Sequence, residues 1–169
     1  VIVGVKDGKS LVLTAGHVCT APGNSEMSMG AQYVMDLETG FGHTARGTVL
    51  AIDVPNDLCL VIADENIGPA LVVADDGPLL HDKVYTMGSP FGLAAPLAVP
   101  VFDGYFSGHV EALSIYSIPA APGSSGSPIM NEEREIISII SAAAVSFDEY
   151  AIGCKTQALR NFLIANDVF

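Results

Sequence analysis

A chain of 169 residues fits one compact domain, or two small subdomains sharing an interface. Half of the residues are hydrophobic, which excludes a disordered chain, yet no apolar run reaches the roughly 18–20 residues needed to cross a bilayer. Seven Lys and Arg against nineteen Asp and Glu give a net charge of −12, and the cations do not cluster, so neither nucleic acid nor membrane insertion is expected.

The elements in chain order are mostly short strands. Val1–Val5 and Leu11–Thr14 flank a turn at Lys6–Ser10 and predict a hairpin, followed by a Gly-, Asn- and Ser-rich loop from Thr20 to Gly30. Further strands are expected at Ala31–Asp36, Thr44–Asp53, Leu58–Ala63, Ala70–Ala74 and Lys83–Gly88. After a Pro- and Ala-rich stretch at Pro90–Pro100 come Tyr105–Ala112, Leu113–Ile118, Pro128–Asn131, Ile136–Ala144 and Tyr150–Lys155. Many short strands separated by turn residues predict an all-β sandwich or barrels. The end reads as helix, with Thr156 as its cap and Leu159, Phe162 and Leu163 at helical spacing. A secretory leader is not expected, because the first residues lack a basic segment and a cleavage site.

Three cysteines, Cys19, Cys59 and Cys154, are too few and odd in number for a disulfide framework. Cys59 alternates with leucines and reads as a small core hydrophobe. A Cys19–Cys59 bridge is conceivable, but reduced thiols are the expected state. No two cysteines share a short loop, so no metal site is expected, and no cofactor is implied.

Three motifs carry chemistry: Leu-Thr-Ala-Gly-His17, Pro-Asn-Asp57-Leu-Cys-Leu and Pro-Gly123-Ser124-Ser125-Gly126-Ser127-Pro128. A hydroxyl is a poor nucleophile until a base takes its proton, and a neutral imidazole is the usual base near pH 7. The imidazole needs a carboxylate to fix its tautomer and stabilise the cation that forms. His17, Asp57 and Ser125 supply these parts, in the chain order His, Asp, Ser of chymotrypsin-type proteases. Ser125 is preferred to Ser124 and Ser127 because only it has Gly at both −2 and +1, which suits backbone donors aimed at an oxyanion. Asp57 is preferred to Asp36, Asp53 and Asp64 because it directly precedes an apolar run that would carry it to the core edge. His43, His81 and His109 have no comparable setting.

On these residues the chain resembles the trypsin-like protease superfamily, and within it the HtrA/Deg protease domain. Gly88-Ser-Pro-Phe-Gly-Leu93 is similar to that family's Gly-x-Pro-Phe-Gly-Leu segment, and Tyr150-Ala-Ile-Gly before a helix resembles its last strand. The resemblance implies two six-stranded antiparallel β-barrels of the chymotrypsin type with a C-terminal helix, divided as 1–74, a connection at 75–82, 83–155 and 156–169. It further implies peptide-bond hydrolysis through an acyl-enzyme, with the backbone amides of Gly123 and Ser125, and Ser124 between them, forming the oxyanion hole. A substrate pocket is implied at Pro119 and along Ile140, Ser141, Ala142 and Ala143. With no carboxylate at Pro119 and alanine walls, cleavage is expected after small or medium aliphatic residues.

Three departures accompany the resemblance. Ser127 stands where cellular relatives usually carry Gly, a form also similar to some viral polyprotein proteases. A PDZ-like segment after Phe169 is not expected, and with 16 residues before His17 the first strand is expected to be missing or upstream. The leading expectation is a serine endopeptidase acting on polypeptides. The alternatives are a viral or phage processing protease, and a non-catalytic peptide-binding module on the same scaffold.

Overall fold

The computed structural model describes residues 1–20, 33–144 and 147–169, with backbone only at 147–149. Five strands form an antiparallel sheet: β1 (Ile2–Lys6), β2 (Lys9–Ala15), β3 (Val34–Glu38), β4 (Thr44–Asp53) and β5 (Leu58–Ala63), in the order β1-β2-β5-β4-β3. A one-turn helix α1 (Gly16–Cys19) follows β2. The second half is a closed barrel of β6 (Lys83–Met87), β7 (Val101–Val110), β8 (Leu113–Tyr116), β9 (Pro128–Met130), β10 (Ile136–Ala144) and β11 (Phe147–Cys154). Helix α2 (Thr156–Ala165) ends the chain.

The central strands explain how the halves join. β5 lies between β2 and β4, and its sequence Leu-Cys-Leu-Val-Ile-Ala is buried on both faces. Because side chains alternate along a strand, Leu58 and Leu60 enter one cluster while Cys59 and Val61 enter another. The first cluster also takes Ile136 and Ile139 of β10 and Leu159, Phe162 and Leu163 of α2, so it is shared by sheet, barrel and helix. Ile137 and Ile140, on the opposite face of β10, fill the barrel with Val84, Phe106 and Tyr116. Arg160 of α2 ties the connection down, bonding Asp75 Oδ1 at 2.8 Å and the Ala74 carbonyl at 3.0 Å.

The all-β expectation and the C-terminal six-stranded barrel hold. In the N-terminal half, five strands pair among the described residues, where six were expected with the first of them missing or upstream. Residues 70–74 do not form a strand. Val73 makes one isolated parallel bridge to Ile136, and Ala74 N–H donates to the Ile136 carbonyl. β3 runs from 34 to 38, later than the expected 31–36, and β7 starts at 101, before the expected 105. Most of the expected loop 20–30 lies outside the described residues. Thr156 is not the cap. Lys155 occupies that position, and Thr156 Oγ1 donates across to the Ile137 carbonyl at 2.7 Å, because a buried hydroxyl needs an acceptor.

The expectation of reduced thiols is corrected for two cysteines: Cys19 and Cys59 form a disulfide, with Cα atoms 6.5 Å apart, and Cys154 is free and buried. Antiparallel pairing of β2 and β5 sets Ala15 opposite Leu58, so α1 folds back over the start of β5 and brings Cys19 onto Cys59.

Candidate active site

The same register builds the first half of the site. With Ala15 opposite Leu58, the next residues of each strand converge: Gly16 N–H donates to the Asp57 carbonyl at 2.8 Å. His17 backbone N–H donates to Asp57 Oδ1 at 2.7 Å, and His17 Nδ1 lies 2.8 Å from Asp57 Oδ2. Both carboxylate oxygens are therefore committed to one residue, which fixes the imidazole's position and leaves Nε2 on the far edge of the ring. The side chains are 50% and 29% exposed, so the pair sits at a water-accessible rim. Asp57 adopts φ +52°, a left-handed conformation that Asp tolerates better than most residues and that ends the turn begun at Val54. Gly16 leaves the space: a Cβ there would stand 3.0 Å from Asp57 Oδ1.

A carboxylate partner does not by itself single out His17. His43 Nε2 lies 3.0 Å from Glu65 Oε1 on the exposed surface, and His109 Nδ1 lies 3.1 Å from Ser114 Oγ. His17 differs in its neighbours, because the strand that delivers it abuts the Ser125 loop.

That loop enters from the barrel. Gly126 N–H donates to the Ile140 carbonyl at 2.8 Å, and Ile140 N–H donates to Ser127 at 2.9 Å, so β10 holds its trailing end. Ser124 closes its leading end, its N–H bonding the Ala121 carbonyl and its Oγ accepting from Ala121 N–H. A Cβ on Gly126 would collide with Thr14 Oγ1, which shows how closely the loop meets the strand carrying His17. His17 and Ser125 make no direct hydrogen bond.

Hydrogen bonding within the loop separates its amides. Those of Ser124, Gly126 and Ser127 have acceptors, while those of Gly123 and Ser125 have none among the described residues. Phe91 N–H donates to the Pro122 carbonyl at 2.6 Å. Since carbonyl and N–H of a trans peptide point in opposite directions, that bond turns the Gly123 N–H away from residue 91. Gly123 has φ +97°, and a Cβ there would come within 2.5 Å of the Ser89 carbonyl. Only glycine fits. Ser127 is accommodated because it packs on Gly88, where a Cβ would collide with its hydroxyl.

Of the expected pocket residues, Ile140 contributes its backbone, its side chain being fully buried in the barrel core. Ser141 Oγ donates to the Ile152 carbonyl at 3.1 Å, Pro119 and Ala142 are exposed, and Ala143 packs partly on the core. A cleft of about 650 Å³ is lined by Ser125 and by residues of both sheet and barrel, and by none of these five residues. The contact of Ser89–Phe91 with the Pro122–Gly123 peptide was not read from the residues. Its only signal was the family-like segment 88–93, because the contact joins positions more than thirty residues apart.

Residues 1–139 match the family model for the trypsin-like peptidase domain. A search of curated proteins finds no match. Among solved structures, the fold is similar to that of the serine endoprotease from Yersinia pestis, with a TM-score of 0.73 and 17% identity. The alignment covers 97% of this chain and 55% of that one, so this chain spans about half its length. At that identity the likeness speaks for the fold. With most of its length matched by the family model, the chain belongs to the trypsin-like peptidase domain family.

Proposed function

We propose that this domain is a serine endopeptidase using His17 as general base and acid, Asp57 as its orienting carboxylate and Ser125 as nucleophile. As Ser125 Oγ bonds to the scissile carbonyl carbon, its proton passes to His17 Nε2. The carbonyl oxygen becomes an anion facing the amides of Gly123 and Ser125. Collapse of this intermediate breaks the C–N bond, and His17 gives its proton to the departing amine, leaving an acyl group on Ser125. Water then attacks the acyl carbon, His17 takes its proton, and the acid product leaves with Ser125 regenerated. The positive charge on His17 in both steps lies against the Asp57 carboxylate, where it is stabilised.

The observation carrying this reading is the combination of a doubly bonded His17–Asp57 pair with a neighbouring serine loop in which the two amides flanking Ser124 have no acceptor among the described residues. On the acyl side, the small side chains of Ala142 and Ala143, with no acidic group at Pro119, favour small or medium aliphatic residues before the cut bond. A fluorophosphonate probe tests the chemistry: labelling confined to Ser125 is expected. A folded protein that stays unlabelled would leave the non-catalytic binding module as the better reading. Digestion of a peptide library tests the preference, and dominant cleavage after Lys or Arg would overturn it.

A further inference from the structure

The cleft beyond Ser125 is bounded by two loops that meet across the sheet–barrel boundary. From the sheet comes the β3–β4 tip, tightened by Thr39, whose Oγ1 accepts from the N–H groups of Phe41 and His43. From the barrel side comes the strap 94–99, which turns at Pro96–Leu97 with Ala98 N–H bonded to the Ala95 carbonyl at 2.8 Å. Leu97 sits at φ +67° after a proline, as in a type II turn, so the N–H of the central peptide points outward. That N–H donates to the Gly40 carbonyl at 2.6 Å. Close packing reinforces the junction: a Cβ on Gly40 would stand 3.3 Å from Val99, and one on Gly42 3.3 Å from Pro96.

Beneath this clasp the cleft runs from Ser125 and Gly126 past Thr14 to Val1 and Leu71. None of Pro119, Ile140, Ser141, Ala142 or Ala143 lines it. If those residues receive the acyl side of a substrate, the chain beyond the scissile bond leaves Ser125 on the opposite side. Among the described residues, Glu38 is the one charged side chain lining this cleft; the rest of the lining is small, hydroxylated or apolar. Glu38 ends β3 opposite Thr44 and is exposed, so its carboxylate stays hydrated and meets a cation without a large desolvation cost.

We infer that the clasped cleft receives the leaving-group side of the polypeptide substrate, and that Glu38 makes this enzyme favour Lys or Arg within the first few residues after the cut bond. The inference rests on the serine endopeptidase reading of the same site. Glu38 acts here on specificity alone, as it touches none of the reacting groups. The expected preference is modest, about two- to fivefold over Asp or Glu, the range an exposed ion pair gives. The protein's overall negative charge also attracts cationic peptides, but that field is nearly the same in a single-charge variant.

The experiment digests a proteome-derived peptide library with the wild type, Glu38→Gln and Glu38→Lys at 0.15 M salt, and reads the residues following each cut bond. A peptidyl ester with no residue beyond the scissile bond is assayed in parallel. The expected result is enrichment of Lys and Arg after the cut in the wild type, its loss in Glu38→Gln and its reversal in Glu38→Lys, with ester hydrolysis unchanged. The same profile in all three proteins overturns the inference, as does a variant that loses ester and peptide turnover equally. Failure of the wild type to hydrolyse the ester or to react with the fluorophosphonate overturns the reading beneath it. A labelled, active wild type with no charge preference after the cut refutes only the role of Glu38.

Discussion

The two halves of the molecule hold their parts of the site by different means. In the sheet, His17 and Asp57 are aligned by the Ala15–Leu58 strand register, three hydrogen bonds and a disulfide two residues beyond each. In the barrel, Ser125 rides a loop fastened at its ends by Ile140 and Ala121 and steered in the middle by one bond from Phe91. The sheet therefore presents a pair whose geometry follows from regular secondary structure. The barrel presents a loop whose geometry depends on glycine and on a distant segment. Errors in the first are resisted by many contacts, whereas the second turns on a few.

The largest expected effect comes from removing the proposed nucleophile. Ser125→Ala should lower kcat by about 10⁴-fold or more without changing the thermal midpoint, as a half-buried hydroxyl contributes little packing. Retained turnover would remove Ser125 from the reaction. Next is the steering bond of the barrel loop. Gly123→Ala forces a side chain into φ +97° and against the Ser89 carbonyl, so activity should fall about 10²–10³-fold while the far-ultraviolet circular dichroism is preserved. Equal loss from a surface alanine substitution elsewhere would deny the loop any special sensitivity.

The sheet is probed by its bridge. Replacing Cys19 and Cys59 together by Ala should cost about 4 kcal/mol of stability in denaturant titration, from a loop with a sequence separation of 40. If the strand register alone aligns His17 with Asp57, kcat of the folded variant should change far less than in Gly123→Ala. A larger loss would mean that the bridge does the aligning.

The smallest effect separates the halves by pH. Burial pushes the Tyr116 phenol on β8 and the Cys154 thiol on β11 above their ordinary ranges. In the unfolded chain these groups ionise near about 10 and 8.5. Between those values and the raised folded ones, the unfolded chain has released protons that the folded chain keeps. Stability is therefore complete below the unfolded values and declines as pH rises past them. Urea titrations from pH 7 to 10.5 should show this decline, and Cys154→Ala should blunt its first part. Thiol reagents should reach Cys154 only as the barrel unfolds.

What the residues revealed in advance follows the same division. β5 was legible because a six-residue apolar run next to an Asp turn has few alternatives, and the His17–Asp57 pairing followed from one motif that closes a strand and one that directly precedes the next. The stretch 70–74 looked like a strand because it is apolar, but its burial is met by one bridge to Ile136 and not by a ladder. Thr156 looked like a cap because local pattern cannot reveal that the Ile137 carbonyl needs a donor. The Leu97–Gly40 bond could not be read at all, and the Phe91–Pro122 bond had only the family-like segment 88–93 to signal it. Each depends on how two distant loops meet, and backbone donors leave no trace in residue identity.

The disulfide has a topological consequence for a domain proposed to cut chains. Any peptide bond broken between Cys19 and Cys59 produces two fragments, one ending with Cys19 on board and the other carrying Cys59 and everything after it. The bridge keeps them joined. Self-nicking anywhere in that stretch would add the mass of one water and leave a single band on a non-reducing gel, splitting into two only after reduction. His17 would remain tethered two residues from the surviving link, so a nick in this stretch would not by itself release it from the rest of the domain.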